Sequence, residues 1–193
     1  MSKIIFFDLD GTLRETISGK AFINEPHDQK AIEGTQKALS YYQDKGFVLI
    51  GITNQGGVAA GHKSMESAIE EQRITLELFP ELSEIFFCPN YDGESCYQVS
   101  RNEPLLMKTL DLMNSCRKPG AGMIELAIKG FSDLEIADCW MIGDRPEDQK
   151  CAEAAGVKFV WAKVMHAKFA APGMREIDCL DIDPNVLTEF LSL

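Results

Sequence analysis

Short apolar runs that end on polar or acidic residues alternate along this chain with longer stretches whose apolar positions recur at helical spacing. Lys3 to Phe7 is such a run, closed by Asp8, the pattern of a strand buried on both faces that delivers polar groups at its carboxyl end. Phe47 to Thr53, Ile85 to Cys88, Cys139 to Ile142 and Val157 to Trp161 repeat it. Between them, Glu33 to Lys45 places Ala38, Leu39 and Tyr42 on one helical face and stops at Gly46. Ser64 to Phe79 reads as a helix capped by Ser64, Gly122 to Phe131 as another, and Pro146 to Ala155 as a third stopped by Gly156. A terminal helix is predicted over Pro184 to Leu191, with Asp183 as its cap and Pro184 at its first position.

Two stretches read differently. Asn90 to Arg101, dense in turn formers, is predicted as a loop, and Glu103 to Ser115 is ambiguous with a helical leaning. No motif stands out over residues 163–193. Strands alternating with helices predict an α/β fold, three-layered and Rossmann-like, on a mainly parallel central sheet and without a large cap domain. In such sheets the active site lies beyond the carboxyl ends of the strands.

Composition narrows the picture. At 193 residues the chain is expected to form one domain, 1–193, because single cores run to about 100–200 residues. A hydrophobic fraction of 45% excludes a disordered chain. No stretch approaches the ~18 apolar residues of a membrane span, and the start of the chain is too short and acidic for a signal peptide, so a cytoplasmic location is expected. Cys88, Cys96, Cys116, Cys139, Cys151 and Cys179 are scattered with no CxxC, the look of reduced thiols. The net charge of −11 argues against broad attraction to nucleic acid or to an anionic membrane, while leaving room for a local basic site. No protein partner is predicted.

Four polar constellations follow predicted strands. Asp8 and Asp10 sit two apart, so in extended backbone they project to one side, and Gly11 permits a sharp turn. Two carboxylates that close repel, a hard cation such as Mg²⁺ relieves the repulsion, and one can attack a phosphoryl group while the other handles a proton. A plain Asp-Gly turn is the competing reading. Thr53, Asn54 and Gln55 precede Gly56-Gly57, a set able to offer hydroxyl, amide and backbone N–H groups to phosphate, or simply a turn. Arg117 and Lys118, ahead of Pro119, pair a planar fork with a compact charge, or form a solvated turn. Asp144 ends a strand where it can complete a metal site; Asp148 stands behind it, or caps the next helix. In order, each at a strand's end, the four make chance a poor explanation.

These residues resemble the haloacid-dehalogenase superfamily of phosphatases: the DxDGT start (Asp8, Asp10, Gly11, Thr12), the TNQ loop (Thr53, Asn54, Gln55), the RKPxxGM segment (Arg117, Lys118, Pro119, Gly122, Met123) and the GDxxxD end (Gly143, Asp144, Asp148). The likeness spans about residues 3–162 and narrows to a branch holding histidinol-phosphate, heptose-bisphosphate and polynucleotide 3′-phosphatases. It implies that Asp8 is a nucleophile forming an aspartyl-phosphate, and that Asp10 protonates the leaving oxygen and then activates water. It also implies that Thr53, Asn54 and Lys118 hold the phosphoryl group, and that Gln55 and Arg117 meet substrate. Mg²⁺ is then bound by Asp8, the Asp10 carbonyl and Asp144, with Asp148 behind them.

Sugar and histidinol-phosphate members carry a zinc loop with Cys-x-His and Cys-x-Cys pairs. Here Cys88 and Cys116 keep the outer positions, but Asn90 and Asn114 replace the inner ligands, and zinc is not expected. DLDGTL followed by Ser18-Gly19-Lys20-Ala21-Phe22 leans toward the polynucleotide side, although no GxxxxGK[ST] and hence no kinase half is expected. The expected partner is thus a phosphorylated substrate: a 3′-phosphate nucleic-acid end, with a small phosphate ester as the alternative. A phosphotransferase would use the same residues, and a non-catalytic phosphate-binding protein on this fold is the alternative of another class.

Overall fold

Hydrophobic alternation along the first strand sets the architecture. In β1 (Lys3–Phe7), Ile5 and Phe7 enter one buried cluster while Ile4 and Phe6 enter another, so the strand is covered on both faces. The computed structural model describes residues 2–101, 105–108, 115–170 and 183–193. After β1 come the short pair β2 (Arg14–Glu15) and β3 (Lys30–Ala31), then α1 (Thr35–Asp44), β4 (Phe47–Asn54), α2 (Gly56–Ala59), α3 (Met65–Leu78) and β5 (Leu82–Cys88). The chain continues through β6 (Ser95–Val99), β7 (Leu105–Lys108), α4 (Gly122–Ile128), β8 (Trp140–Gly143), α5 (Pro146–Ala155), β9 (Lys158–Trp161), α6 (Ala162–Phe169) and α7 (Pro184–Ser192).

The main sheet has the order β7-β6-β5-β4-β1-β8-β9. Its β5-β4-β1-β8-β9 portion is parallel; β6 and β7 add antiparallel at one edge. Successive strands leave β1 first toward β4 and β5 and later toward β8 and β9. The strand order therefore reverses at β1, where such sheets open a crevice. One apolar layer joins Leu49, Ile85, Trp140 and Ile142 to side chains of α1, α3, α6 and α7. The other joins Ile50, Ile52, Phe86 and Met141 to those of α4 and α5.

Predicted and observed elements coincide closely where periodicity is strong, including β1, α3 with its Ser64 cap, and α5 ended by left-handed Gly156. The loop expected from Asn90 to Arg101 is corrected: its second half is β6. Here Cys96 and Val99 are buried, and Tyr97 stacks on Phe87 of β5 with ring centroids 5.3 Å apart. Tertiary pairing overrides a locally polar sequence. Within the ambiguous Glu103–Ser115 stretch, residues 105–108 form β7 rather than helix, while 109–114, Asn114 included, lie outside the described residues. Cys179 lies outside them too. Among the described residues no helix is long and apolar enough to cross a membrane.

The unread C-terminal region closes the first apolar layer. Phe190 of α7 is fully buried, with its ring 5.5 Å from that of Trp140 and 5.9 Å from that of Tyr42, and the Tyr41 hydroxyl donates to the Leu193 carbonyl at 2.9 Å. From α6, His166 Nε2 donates to the Thr12 carbonyl at 2.7 Å, tying this layer to the turn after β1. Phe190→Ala removes a large ring from a closed site, so thermal or urea unfolding is expected to show a loss of about 3–5 kcal/mol. A loss below about 1 kcal/mol would mean that α7 is not integral to the core.

Candidate active site

β1 ends by pointing Asp8 out of the sheet, with its amide donating to the Ile142 carbonyl of β8 at 2.9 Å. The chain then folds back: the amides of Thr12, Leu13 and Arg14 all donate to the Leu9 carbonyl, at 3.2, 2.9 and 3.0 Å. Gly11 makes this turn with φ +93°, and a Cβ there would stand 2.4 Å from Asp144 Oδ2. Glycine is required on both counts. The same turn returns the Thr12 hydroxyl to donate to Asp8 Oδ2 at 3.2 Å.

Three chain segments meet at the ammonium of Lys118. Its Nζ lies 2.5 Å from Asp8 Oδ1 and 2.7 Å from Asp148 Oδ1, and donates to the Ile52 carbonyl at 3.1 Å. The backbone of Lys118 is held by Asn54, whose amide donates to the Lys118 carbonyl and accepts from the Lys118 N–H, both at 3.0 Å. Asp148 is fixed from the other side: its Oδ2 accepts the N–H groups of Asp144 (3.1 Å) and Arg145 (3.0 Å) where α5 begins. Asp148 therefore caps the start of α5 with one oxygen and meets Lys118 with the other. Gly143 admits it, since a Cβ there would fall 2.4 Å from the Asp148 Cβ.

Burial gives these groups unusual acidities. Desolvation, with the nearby Asp148 and Asp10 carboxylates, pushes Asp8 up to about 7 against the pull of Lys118. Burial would lower Lys118, but Asp8 and Asp148 outweigh it and hold the ammonium above its ordinary range. Asp144 is raised by burial and by Asp148. Asp10 moves the other way. Burial opposes its ionisation, yet Arg14, whose Nε is 2.9 Å from Asp10 Oδ1, prevails with help from Lys63 and holds it below the usual carboxylate range.

All nine predicted residues (Asp8, Asp10, Thr53, Asn54, Gln55, Arg117, Lys118, Asp144, Asp148) line one cleft of about 1120 Å³. Thr53 is buried at its floor. Asn54 spends its amide on the Lys118 backbone rather than facing the cavity alone, and Gln55 is turned toward Asp10 and Glu71. Arg117 lies over the Tyr91 ring at 5.0 Å. Oxygens of Asp8, Asp144 and Asp148 lie within 4.8 Å of one another, the one three-residue group of metal-ligating side chains among the described residues. Cys88, Cys96 and Cys116 are buried free thiols; Cys88 is 3.2 Å from Asn90 Oδ1, and burial pushes it up to about 11.

Sequence reasoning missed Arg14, Lys63 and Glu71, which stand behind Asp10. Arg14, four residues past Asp10, carried a faint signal; Lys63 and Glu71 carried none outside the fold.

Known phosphatases resemble this chain in sequence and in fold. The chain is 36% identical over 165 residues to the D-glycero-beta-D-manno-heptose-1,7-bisphosphate 7-phosphatase of Haemophilus ducreyi, covering 81% of this chain and 80% of that protein. It is 31% identical over 157 residues to the enzyme of the same name from Vibrio cholerae, covering 79% and 76%. Among solved structures, the D,D-heptose 1,7-bisphosphate phosphatase of B. bronchiseptica, complexed with magnesium and phosphate, shares the fold with a TM-score of 0.62 at 21% identity, over 98% of both chains. The family model described as polynucleotide kinase 3 phosphatase matches residues 3–174, and the chain belongs to this family of haloacid-dehalogenase-superfamily phosphatases.

Proposed function

We propose that this phosphatase is a Mg²⁺-dependent phosphomonoesterase that acts through an aspartyl-phosphate on Asp8, with a small phosphorylated sugar as substrate. The observation that carries the chemistry is the buried Asp8–Lys118–Asp148 chain, with Asp144 beside it, at the floor of the cleft. The carboxylates of Asp8, Asp144 and Asp148 converge with oxygens within 4.8 Å of one another, a hard-oxygen set that a dication suits. Burial first, and the neighbouring Asp148 after it, raise both Asp8 and Asp144. Asp148 is already committed to Lys118 and to two backbone amides, so Asp8 and Asp144 would hold Mg²⁺, with the Asp10 carbonyl that the family resemblance adds. Bound there, the ion supplies neutralisation of the phosphoryl oxygens.

The chain's own residues account for the rest. Lys118 holds Asp8 in place and lies where a phosphoryl oxygen arrives. The Asp8 carboxylate attacks phosphorus, the bond to the ester oxygen breaks, and protonated Asp10 gives its proton to that oxygen, releasing the alcohol. Asp10, now a carboxylate, takes a proton from water as the water attacks phosphorus. Phosphate leaves, Asp8 is a carboxylate again and Asp10 is again protonated. The pull of Arg14 and Lys63 suits Asp10 to the second half. An incoming phosphate brings negative charge that returns it toward the protonated form for the first.

For the substrate, the heptose-bisphosphate phosphatases among the relatives support a sugar phosphate. A net charge of −11 speaks against a polyanion, and the leaning that the DLDGTL opening gave toward a nucleic-acid end yields to both. Mg²⁺-dependent phosphate release is expected to be faster from sugar phosphates, heptose bisphosphates first, than from a 3′-phosphorylated oligonucleotide. The reverse order would move the substrate to nucleic-acid ends and leave the mechanism standing.

Asp8→Asn keeps the shape and removes the nucleophile. Turnover is expected to fall on the order of 10³-fold or more with unfolding unchanged, and retained activity would sink the covalent route. Mg²⁺ binding is expected to release the Asp8 proton. With Asp8 near 7, isothermal titration should find Mg²⁺ bound roughly tenfold more tightly at pH 8 than at pH 6. An affinity flat across that range would mean that Asp8 is already ionised in the free protein.

A further inference from the structure

A buried ionic network stands directly behind Asp10, and the reaction derived above uses only the charge of its Arg14 and Lys63, leaving Glu71 and the geometry of the network without a role. Arg14 is fully buried and its guanidinium is almost completely engaged. Nε donates to Asp10 Oδ1 at 2.9 Å, Nη2 to Glu71 Oε1 at 2.6 Å, and Nη1 to Gln29 Oε1 at 3.1 Å and to the Thr75 hydroxyl. Glu71, on the buried face of α3, is equally closed off. Its Oε1 also accepts from Gln55 Nε2 at 3.0 Å, and its Oε2 pairs with Lys63 Nζ. Gln55 Nε2 in turn lies 3.5 Å from Asp10 Oδ2, and Lys63 Nζ donates to Gln55 Oε1 at 3.0 Å.

The pattern is a fork. Glu71 orients two donors, Arg14 and Gln55, and each of them faces a different oxygen of Asp10. Removing Arg14, Glu71 and Lys63 from water is expensive, and buried ion pairs of this kind are a weak source of stability compared with apolar packing. Their geometry, by contrast, answers a requirement of proton transfer. A carboxyl group that must serve a leaving oxygen and then a water has to be held in one orientation, and misplacement by about 1 Å can cost on the order of a hundredfold in rate.

We propose that Glu71, acting through Arg14 and Gln55, is a positioning residue that fixes the Asp10 carboxyl for its two proton transfers. The inference rests on the assignment of Asp10 as acid and base. It predicts a dependence on the leaving group. An alkoxide needs a proton as it departs; a nitrophenolate departs without one.

The test is a single-turnover measurement, enzyme in excess and Mg²⁺ saturating, that reads the released alcohol from an alkyl sugar phosphate and from 4-nitrophenyl phosphate. Glu71→Gln keeps the size and removes the charge. It is expected to slow alcohol release from the alkyl ester by about tenfold or more, while nitrophenol release changes by no more than about twofold. Equal slowing of both esters, or of neither, overturns the positioning role. Should Glu71→Gln fail to fold, Lys63→Gln at the cleft end of the network carries the same test by the same criterion. A wild-type protein that releases neither alcohol would instead overturn the phosphatase mechanism, and the inference with it.

Discussion

One buried ammonium holds this site together. Lys118 is the point at which the end of β1, the end of β4 and the start of α5 meet, through Asp8, the Ile52 carbonyl and Asp148. Both carboxylates are buried, and for Asp8 the ammonium is the pull that opposes the upward push of burial and of Asp148. Deleting the cation from such a cluster leaves uncompensated buried charge, a change that typically costs about 3–5 kcal/mol. The fold commits further structure to the lysine's position: Asn54 clamps its backbone from both sides, and two amides at the head of α5 fix Asp148.

That arrangement exists because β1 lies between β4 and β8, all three running the same way. Parallel strands bring their carboxyl ends to one edge, so residues far apart in the chain emerge together: Asp8, Thr53 and Asp144 each follow or end a neighbouring strand. Close approach then falls to two glycines. Gly11 leaves room for the Asp144 carboxylate, and Gly143 leaves room for Asp148. A side chain at either position would push apart the acids that the strands bring together. Sheet order and glycine placement thus set how closely the acids approach one another, and that closeness suits a divalent cation.

Much of this was legible in the sequence, for identifiable reasons. Strands buried on both faces read as unbroken apolar runs, so β1, β4 and β8 were visible, and the acids that end them were visible as departures from apolar character. The motif residues declared themselves by order along the chain. What escaped depended on partners remote in sequence. β6 is polar enough to read as loop until it pairs with β5 and covers Phe87 with Tyr97. Glu71 looks like any acid of an amphipathic helix; only the fold shows that it faces Arg14, 57 positions away. Asn54 was expected to meet phosphate, and its reciprocal bonds to Lys118 could not be read before the two segments were seen together.

The contrast between the surface and the cleft bears on what the site accepts. The chain carries a net −11, yet Lys20, Lys63, Arg117, Lys118 and Arg145 all line the cleft. Charge separated by more than about 8 Å is largely screened at physiological ionic strength. A compact anion inside the cleft therefore responds mainly to these local cations, to the acids Asp8, Asp10, Asp144 and Asp148 that line the cleft with them, and to a metal ion that those acids would hold. A long polyanion would have to lay most of its charge along the acidic exterior, losing at each phosphate what the cleft gains at one. Exposed Phe22 and the Tyr91 ring under Arg117 add apolar surface at the mouth, suited to the carbon face of a short substrate. Screening of the outer charge against close contacts within the cleft is therefore a filter for size, the physical ground on which a small phosphate ester is proposed as substrate.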